Sequence, residues 1–258
     1  MKRKAFTLAE ILITLGIIGV VAALTAPALV SESTDQIVSS RLASTVSDLE
    51  NAFGNAMVSE SVEELNETAM FKAATKKAFA GDIAKYYNIG SYVDKASNQF
   101  YAKGPYTIKG TAFANFGGDS TGNYFPIRLK NGAVAHFLYR QGDNGNQYNV
   151  DHSANETTIR NAGGSLVRVV AEIIIDVNGE TKPNRAGRDM FKYVVGVNGA
   201  FYPVGGRDYA LFLSNGANDN NMWSNKNAND LTKCISGNFG SGFGCTARVA
   251  EDGYKINY

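Results

Sequence analysis

An α+β fold follows from two patterns in the sequence. The first 60 residues carry an apolar run that thins into a helical stripe. Residues 124–204 carry short apolar runs separated by Asn-Gly pairs. Together they predict one long N-terminal helix, membrane-spanning at first and amphipathic afterwards, packed on an antiparallel sheet in a globular head.

The helix comes first. Lys2, Arg3 and Lys4 precede an apolar stretch from Phe6 to Val30 whose only charge is Glu10. About 20 apolar residues span a bilayer core, so the stretch is long enough. The basic cluster is expected to stay cytoplasmic, which places the C-terminal bulk outside. An ordinary secretory signal is one competitor, cut after the apolar region, and Thr25-Ala26-Pro27-Ala28 has small residues of that kind. An uncleaved N-terminal anchor is another. Glu10 argues against both. A carboxylate at the middle of a membrane helix costs roughly 2.5–3.5 kcal/mol on insertion scales, and a generic signal or anchor gains nothing from it.

Past Val30 the apolar positions become Val38, Leu42, Val46 or Thr45, Leu49, Phe53 and Met57, with Ser, Asp, Glu and Asn between them. The steps of three and four residues describe one face of a helix. One helix therefore runs from about Phe6 to about Glu60, kinked at Pro27. The alternative is two helices broken in Ser31-Glu32-Ser33-Thr34-Asp35.

The head follows. Residues 65–87 predict one or two short helices, and residues 88–124, rich in Gly, Tyr and Asn, predict a long loop. Phe125–Leu129 and Val134–Leu138 flank Asn131-Gly132. The run Leu166–Val177 leads into Asn178-Gly179. Phe191, Tyr193, Val195 and Val197 alternate before Asn198-Gly199 and Phe201-Tyr202. Asn-Gly between such runs marks tight hairpins. The prediction is four or five antiparallel strands with the helix over one face.

Composition bounds the function. The 258 residues are 44% hydrophobic and 19% charged, which permits a packed core. Losing Lys2, Arg3 and Lys4 takes the formal charge from +1 to −2, so no general basic excess remains to attract nucleic acid. Cys234 and Cys245 are the only thiols, and His136 and His152 the only imidazoles. With no C-x-x-C pair, a four-ligand zinc site is not legible. Outside the cytoplasm a Cys234–Cys245 disulfide is the simpler reading, and two unpaired thiols the alternative.

The N-terminal residues resemble a known family. Lys-Arg-Lys-Ala, then Phe6-Thr7-Leu8-Ala9-Glu10 and an apolar helix, is similar to the class III prepilin signal of type IV pilins and type II secretion pseudopilins. The resemblance implies cleavage by a prepilin peptidase between Ala5 and Phe6 and methylation of the new amine of Phe6. It gives Glu10 a role in filament assembly, and Gly16, Gly19 and Pro27 the role of loosening the helix. Ala5 departs from the family's usual Gly, although a small residue is kept. The stretch Ile173–Val195 also resembles a segment of large pilin-like proteins.

The implied layout is a leader at 1–5, a transmembrane helix at 6–30, its amphipathic continuation at 31–60 and a pilin-like head at 61–258. The implied function is that of a structural subunit of a type IV pilus or type II secretion pseudopilus, anchored in a bacterial inner membrane and then assembled. Its partners would be other subunits, the peptidase, the assembly platform and the lipid bilayer. A minor or tip subunit that binds a surface, a secreted protein or DNA is the alternative. No cofactor is implied.

Other constellations are weaker. Asp176, Asn178 and Glu180, with Asn184 and Asp189 following, offer oxygen ligands for calcium, but the Gly and Glu spacing of an EF-hand loop is missing, and a capped hairpin turn explains them. Lys182, Arg185, Arg188 and Lys192 form a small basic cluster, read as a solvated turn or as salt bridges to a neighbouring subunit, with contacts to DNA phosphates as the weaker alternative. His136 lies in a strand pattern and is expected to be structural. Asp151-His152-Ser153 are adjacent in a polar loop, which does not place a nucleophile on its base. Asn66-Glu67-Thr68 and Asn155-Glu156-Thr157 match glycosylation acceptors by composition alone. The chain is therefore read as structural, not as an enzyme.

Overall fold

The computed structural model describes residues 7–73, 75–94, 97–101, 104–108, 110–112, 118–119, 122–139, 158–160, 166–204 and 242–256. The chain divides into two units, Met1–Ile37 and Val38–Tyr258.

Helix α1, Leu8–Glu60, is continuous over 53 residues. The alternative break within Ser31–Asp35 does not occur. In the first unit the side chains from Leu8 to Leu24 are exposed along all sides of the helix. In the second unit, α1 buries Val38, Leu42, Val46, Leu49, Phe53 and Ala56. This is the stripe the spacing predicts, widened by Thr45 and Ala52.

The partner of that stripe is a seven-stranded antiparallel sheet. Its strands are β1 (Ile89–Tyr92), β4 (Phe125–Leu129), β5 (Val134–Tyr139), β6 (Thr158–Arg160), β7 (Leu166–Asp176), β8 (Met190–Gly196) and β9 (Phe201–Pro203). The order is β1-β4-β5-β7-β8-β9, with β6 also paired to β7. A separate two-stranded ribbon joins β2 (Gly118–Asp119) to β3 (Gly122–Asn123). The five strands expected from the Asn-Gly pattern are all present. Strand β1 lies inside the stretch expected to be loop, because its pattern of half-buried and exposed residues leaves no apolar run to find.

Two short helices precede the sheet: a 3₁₀ turn at Leu65–Glu67 and α2 at Lys76–Ile83. Thr75 caps α2 by accepting a hydrogen bond from Ala78 N, at 3.1 Å. The apolar face of α2 sends Phe79 onto Phe71, Phe125 and Phe137, with ring centroids 5.2–5.6 Å apart. Such aromatic pairs add about 0.5–1.5 kcal/mol each beyond area burial.

Polar ties fix α1 on the sheet. Asn131, in the β4–β5 turn, donates to Thr45 Oγ1 at 2.8 Å. Arg41 donates to the Val177 carbonyl at 3.3 Å. Glu50 accepts from Phe201 N at 2.8 Å, and burial pushes its carboxyl pKa up. Gly199, with φ +80°, turns the chain against Phe53 and Met57. That backbone region is open to Gly at little cost.

Candidate functional site

Two places in the molecule concentrate chemistry. The first is the start of α1. Thr7 and Glu10 form a reciprocal capping box. Thr7 N donates to Glu10 Oε2 at 2.8 Å and Thr7 Oγ1 donates to the same oxygen at 2.9 Å. Glu10 N donates back to Thr7 Oγ1 at 3.2 Å. The Thr-Leu-Ala-Glu spacing produces this geometry, since it puts the Glu side chain beside the unpaired amide at the helix start. A carboxylate there also faces the positive end of the helix dipole. Beyond it, Thr14 and Thr25 return their hydroxyls to backbone carbonyls of the preceding turn, at 2.9 Å, so both hydroxyls are satisfied within the helix.

From Leu8 to Ala26 the helix is long and apolar enough to cross a membrane, and none of that window is buried inside the molecule. A Cβ added at Gly16 or Gly19 would meet nothing within 4 Å. The backbone of α1 continues helically through Pro27. Ala5 and Phe6 lie outside the described residues, so the cleavage and methylation expectations do as well.

Residues 1–26 match the family model described as the prokaryotic N-terminal methylation motif. This supports a type IV pilin-like prepilin signal. Neither a curated protein nor a solved structure matches the chain. The signal and the apolar helix fit membrane anchoring, and the sheet with its covering helix has the α+β pilin-like architecture.

The second place lies on the face of the sheet opposite α1. Ser97 Oγ is 2.7 Å from His136 Nδ1, and Tyr101 Oη is 2.8 Å from His136 Nε2. Tyr101 also donates to Asp176 Oδ2. With the Tyr101 proton given to Asp176, a neutral His136 donates from Nε2 toward Tyr101 and accepts from Ser97 at Nδ1. All four residues are buried, and burial pushes the His136 pKa down to about 3. Burial and the Asp189 charge push Asp176 up. Beside this chain, Glu172 on β7 pairs with Lys192 on β8 at 2.5 Å and accepts a hydrogen bond from Tyr124.

Among the described residues Ser97, His136 and Asp176 are fully buried, so the Ser-His-Tyr-Asp chain of hydrogen bonds is enclosed within the head. The run Gly118-Asp119-Ser120-Thr121-Gly122 has the spacing of a nucleophile elbow, hidden in the Gly-rich stretch expected to be loop. It is flanked by β2 and β3, which pair as a hairpin, whereas an elbow joins a strand to a helix. Ser120 itself lies outside the described residues.

The remaining expectations divide. His136 is buried in β5, as the strand pattern suggests. Lys192 is not part of a solvated basic turn: it lies within β8 and is buried against Glu172, because its alternation places it on an inner face. For the calcium trio, Glu180 turns outward to Arg128, accepting from Nε at 3.1 Å. Asp189 takes its place near Asp176 and accepts from Asn184 N and Arg185 N at 2.7 and 2.5 Å. Among the described residues no group of three or more His, Cys, Asp or Glu is arranged to hold a metal. Cys245 opens α3 (Cys245–Glu251) and is buried. Cys234, Asp151-His152-Ser153 and Asn155-Glu156-Thr157 lie outside the described residues.

Proposed function

We propose that the chain is a structural subunit of a type IV pilus or type II secretion pseudopilus, held in the inner membrane by Leu8–Ala26 and drawn from it into a filament. One observation carries this reading: an apolar helix exposed on every side, with a single carboxylate at its start. A soluble protein gains nothing from that surface, whereas lipid or neighbouring copies of the same helix can cover it.

In this reading a prepilin peptidase cuts between Ala5 and Phe6 and the new amine is methylated. The amine keeps its positive charge. In the filament it meets Glu10 of an adjacent subunit inside an apolar bundle, where an unmatched charge is costly and a matched one sets axial register. The small residues Gly16 and Gly19 let neighbouring helices approach closely. Outside the cytoplasm Cys245 closes a disulfide with Cys234, which ties the C-terminal helix to the segment before it.

The test compares the parent with Glu10→Ala for leader cleavage, membrane fraction and sheared filaments. Mass and N-terminal sequencing of the parent are expected to show methylated Phe6. Glu10→Ala is expected to be cleaved and inserted but to leave filaments depleted. A mature chain starting beyond Ala26, or full assembly of Glu10→Ala, overturns the reading.

A further inference from the structure

We infer that Asn131 is a modification site: Thr45 of α1 holds its carboxamide, and when that tie opens the Asn131-Gly132 pair deamidates and the tie cannot re-form. The inference is independent of the filament reading. Among the described residues three Asn-Gly pairs occur, at Asn131, Asn178 and Asn198. Their glycines differ. A Cβ at Gly179 would meet the Gly132 carbonyl oxygen at 2.8 Å, and one at Gly199 would meet Phe53 and Met57 at 3.6 Å, so both are walled in. Gly132 has φ +89° and nothing within 4 Å of that position, and both it and Asn131 are exposed. The carboxamides differ too. Asn178 and Asn198 donate to the Lys182 carbonyl and the Tyr202 hydroxyl, each four residues on. Asn131 Nδ2 instead donates to Thr45 Oγ1 at 2.8 Å, 86 residues away, while its Oδ1 accepts from Ala133 N at 3.0 Å.

The reaction needs only water. The Gly132 amide nitrogen, its proton lost to solvent, attacks Asn131 Cγ. A nitrogen–carbon bond forms, the Cγ–Nδ2 bond breaks, and the nitrogen takes up a proton and leaves as ammonia. Water then opens the imide ring at either carbonyl, leaving a carboxylate on the ordinary backbone or on one lengthened by a carbon. A following Gly allows the close approach, since it has no side chain. Three hydrogen bonds oppose the attack in the closed turn. Gly132 N donates to the Leu129 carbonyl at 3.1 Å, and the Asn131 carboxamide is pinned at both ends. Two of the three lie within the exposed turn, where local opening is cheap. The third, to Thr45, is part-buried and opens only when α1 and the turn separate here. The product lacks the donor. Thr45 Oγ1 already donates to the Arg41 carbonyl at 2.8 Å, so its single proton is not available to a new carboxylate. A separation of α1 from this turn is thereby recorded covalently.

The experiment incubates the full chain in detergent at mildly alkaline pH and reads, peptide by peptide, the one-dalton mass gain at Asn131, Asn178 and Asn198. Thr45→Val removes the acceptor and keeps an apolar side chain of similar shape at a buried position. It is expected to speed deamidation at Asn131 about fivefold, the scale of one net hydrogen bond, and to leave Asn178 and Asn198 unchanged. Thr45→Ser keeps the hydroxyl and is expected to match the parent at Asn131. The inference fails if Thr45→Val leaves Asn131 at the parental rate or speeds all three sites together. It fails too if Thr45→Ser speeds Asn131 as much as Thr45→Val does, since the hydroxyl is then not the gate. Asn131→Asp supplies the product directly and tests the second half. Hydrogen exchange of the α1 amides from Arg41 to Leu49 is expected to be about fivefold faster than in the parent. Exchange equal to the parent would show that the carboxylate re-forms the tie, and would overturn the one-way step.

Discussion

The two faces of the seven-stranded sheet are made by the same strands but held by different forces. On β7, Ile173 and Ile175 point into a core with Phe53, Phe79, Phe137 and Phe191. Their neighbours Glu172 and Asp176 are buried on the other side, with Ile174 between them. The first face is mainly apolar and tolerates a neighbour of the right shape. The second sets polar groups, each with a particular partner, into a smaller apolar cluster that includes Val134, Leu138, Val169 and Val194. Trimming an apolar side chain on the first face costs its buried area and the cavity it leaves. Removing a polar partner on the second strands the other group, which costs more than the bond was worth.

The largest effect is expected on the apolar face. Phe53 is fully buried, stacks on Phe201 at 5.6 Å and meets Phe71 edge-on at 5.8 Å. Phe53→Ala unpins α1 from β9 and from the segment before α2 at one point. It should lower stability by about 3–5 kcal/mol, the usual range for a large aromatic cut to Ala. Chemical denaturation of the full chain in detergent measures it. A loss under about 1 kcal/mol would show that α1 does not depend on this stripe.

The second prediction sharpens the difference between the faces. Lys192 and Glu172 have side chains 7% and 6% exposed, so neither is screened by water. Lys192→Met takes the Lys192 ammonium away from the buried Glu172 carboxylate and should cost about 3–5 kcal/mol. Adding Glu172→Leu removes the buried carboxylate, and most of the loss should return. Tyr124 then keeps an unpaired hydroxyl, so the recovery is incomplete. If the double variant is as unstable as the single one, the face is held by shape and not by pairing. A rescue of this kind is not expected on the apolar face, where no charge is left behind.

The same contrast explains what the sequence discloses. The stripe from Val38 to Met57 and the Asn-Gly hairpins are local patterns, with periods of three to four and of two, and they locate α1 and five strands. The capping box is equally local, since Thr7 and Glu10 are three residues apart. The polar network is not local. Ser97 and Tyr101 meet His136 across 39 and 35 residues, and Tyr101 meets Asp176 across 75. Nothing in the run Ser97–Tyr101 marks it as buried, because the neighbouring Gly and Asn residues look like any loop. Lys192 looks basic and solvated until β7 is placed beside β8. Glu180 and Asp189 are similar in sequence, and only the fold sends one to Arg128 and the other to the amides of Asn184 and Arg185.

The last prediction concerns His136, and at neutral pH it is the smallest. His136→Gln loses or misaligns the bonds to Ser97 and Tyr101 and should cost about 1–3 kcal/mol at pH 7. The gap should then change with pH. In the fold His136 titrates at about 3, while the unfolded side chain titrates near 6.5. Between those values the unfolded chain binds a proton that the folded chain refuses. Stability from this group is therefore present above pH 6.5 and falls as the pH drops toward 3. Gln has no such proton, so the parent should lose its advantage in that window and the two curves should approach or cross. Asp176 and Asp189 act in the opposite sense. Their folded pKa values are raised, so they stabilise the fold at low pH and weaken it as pH rises. Both remain in the variant, so their contribution largely cancels in the difference. Ring ¹⁵N shifts supply the second measurement. Neutral His136 should carry its proton on Nε2, the tautomer that follows when Tyr101 donates to Asp176. A proton on Nδ1, or a stability gap that stays constant from pH 7 to pH 4, would break the proposed order of donors. This second face of the sheet would then be held by packing, like the first.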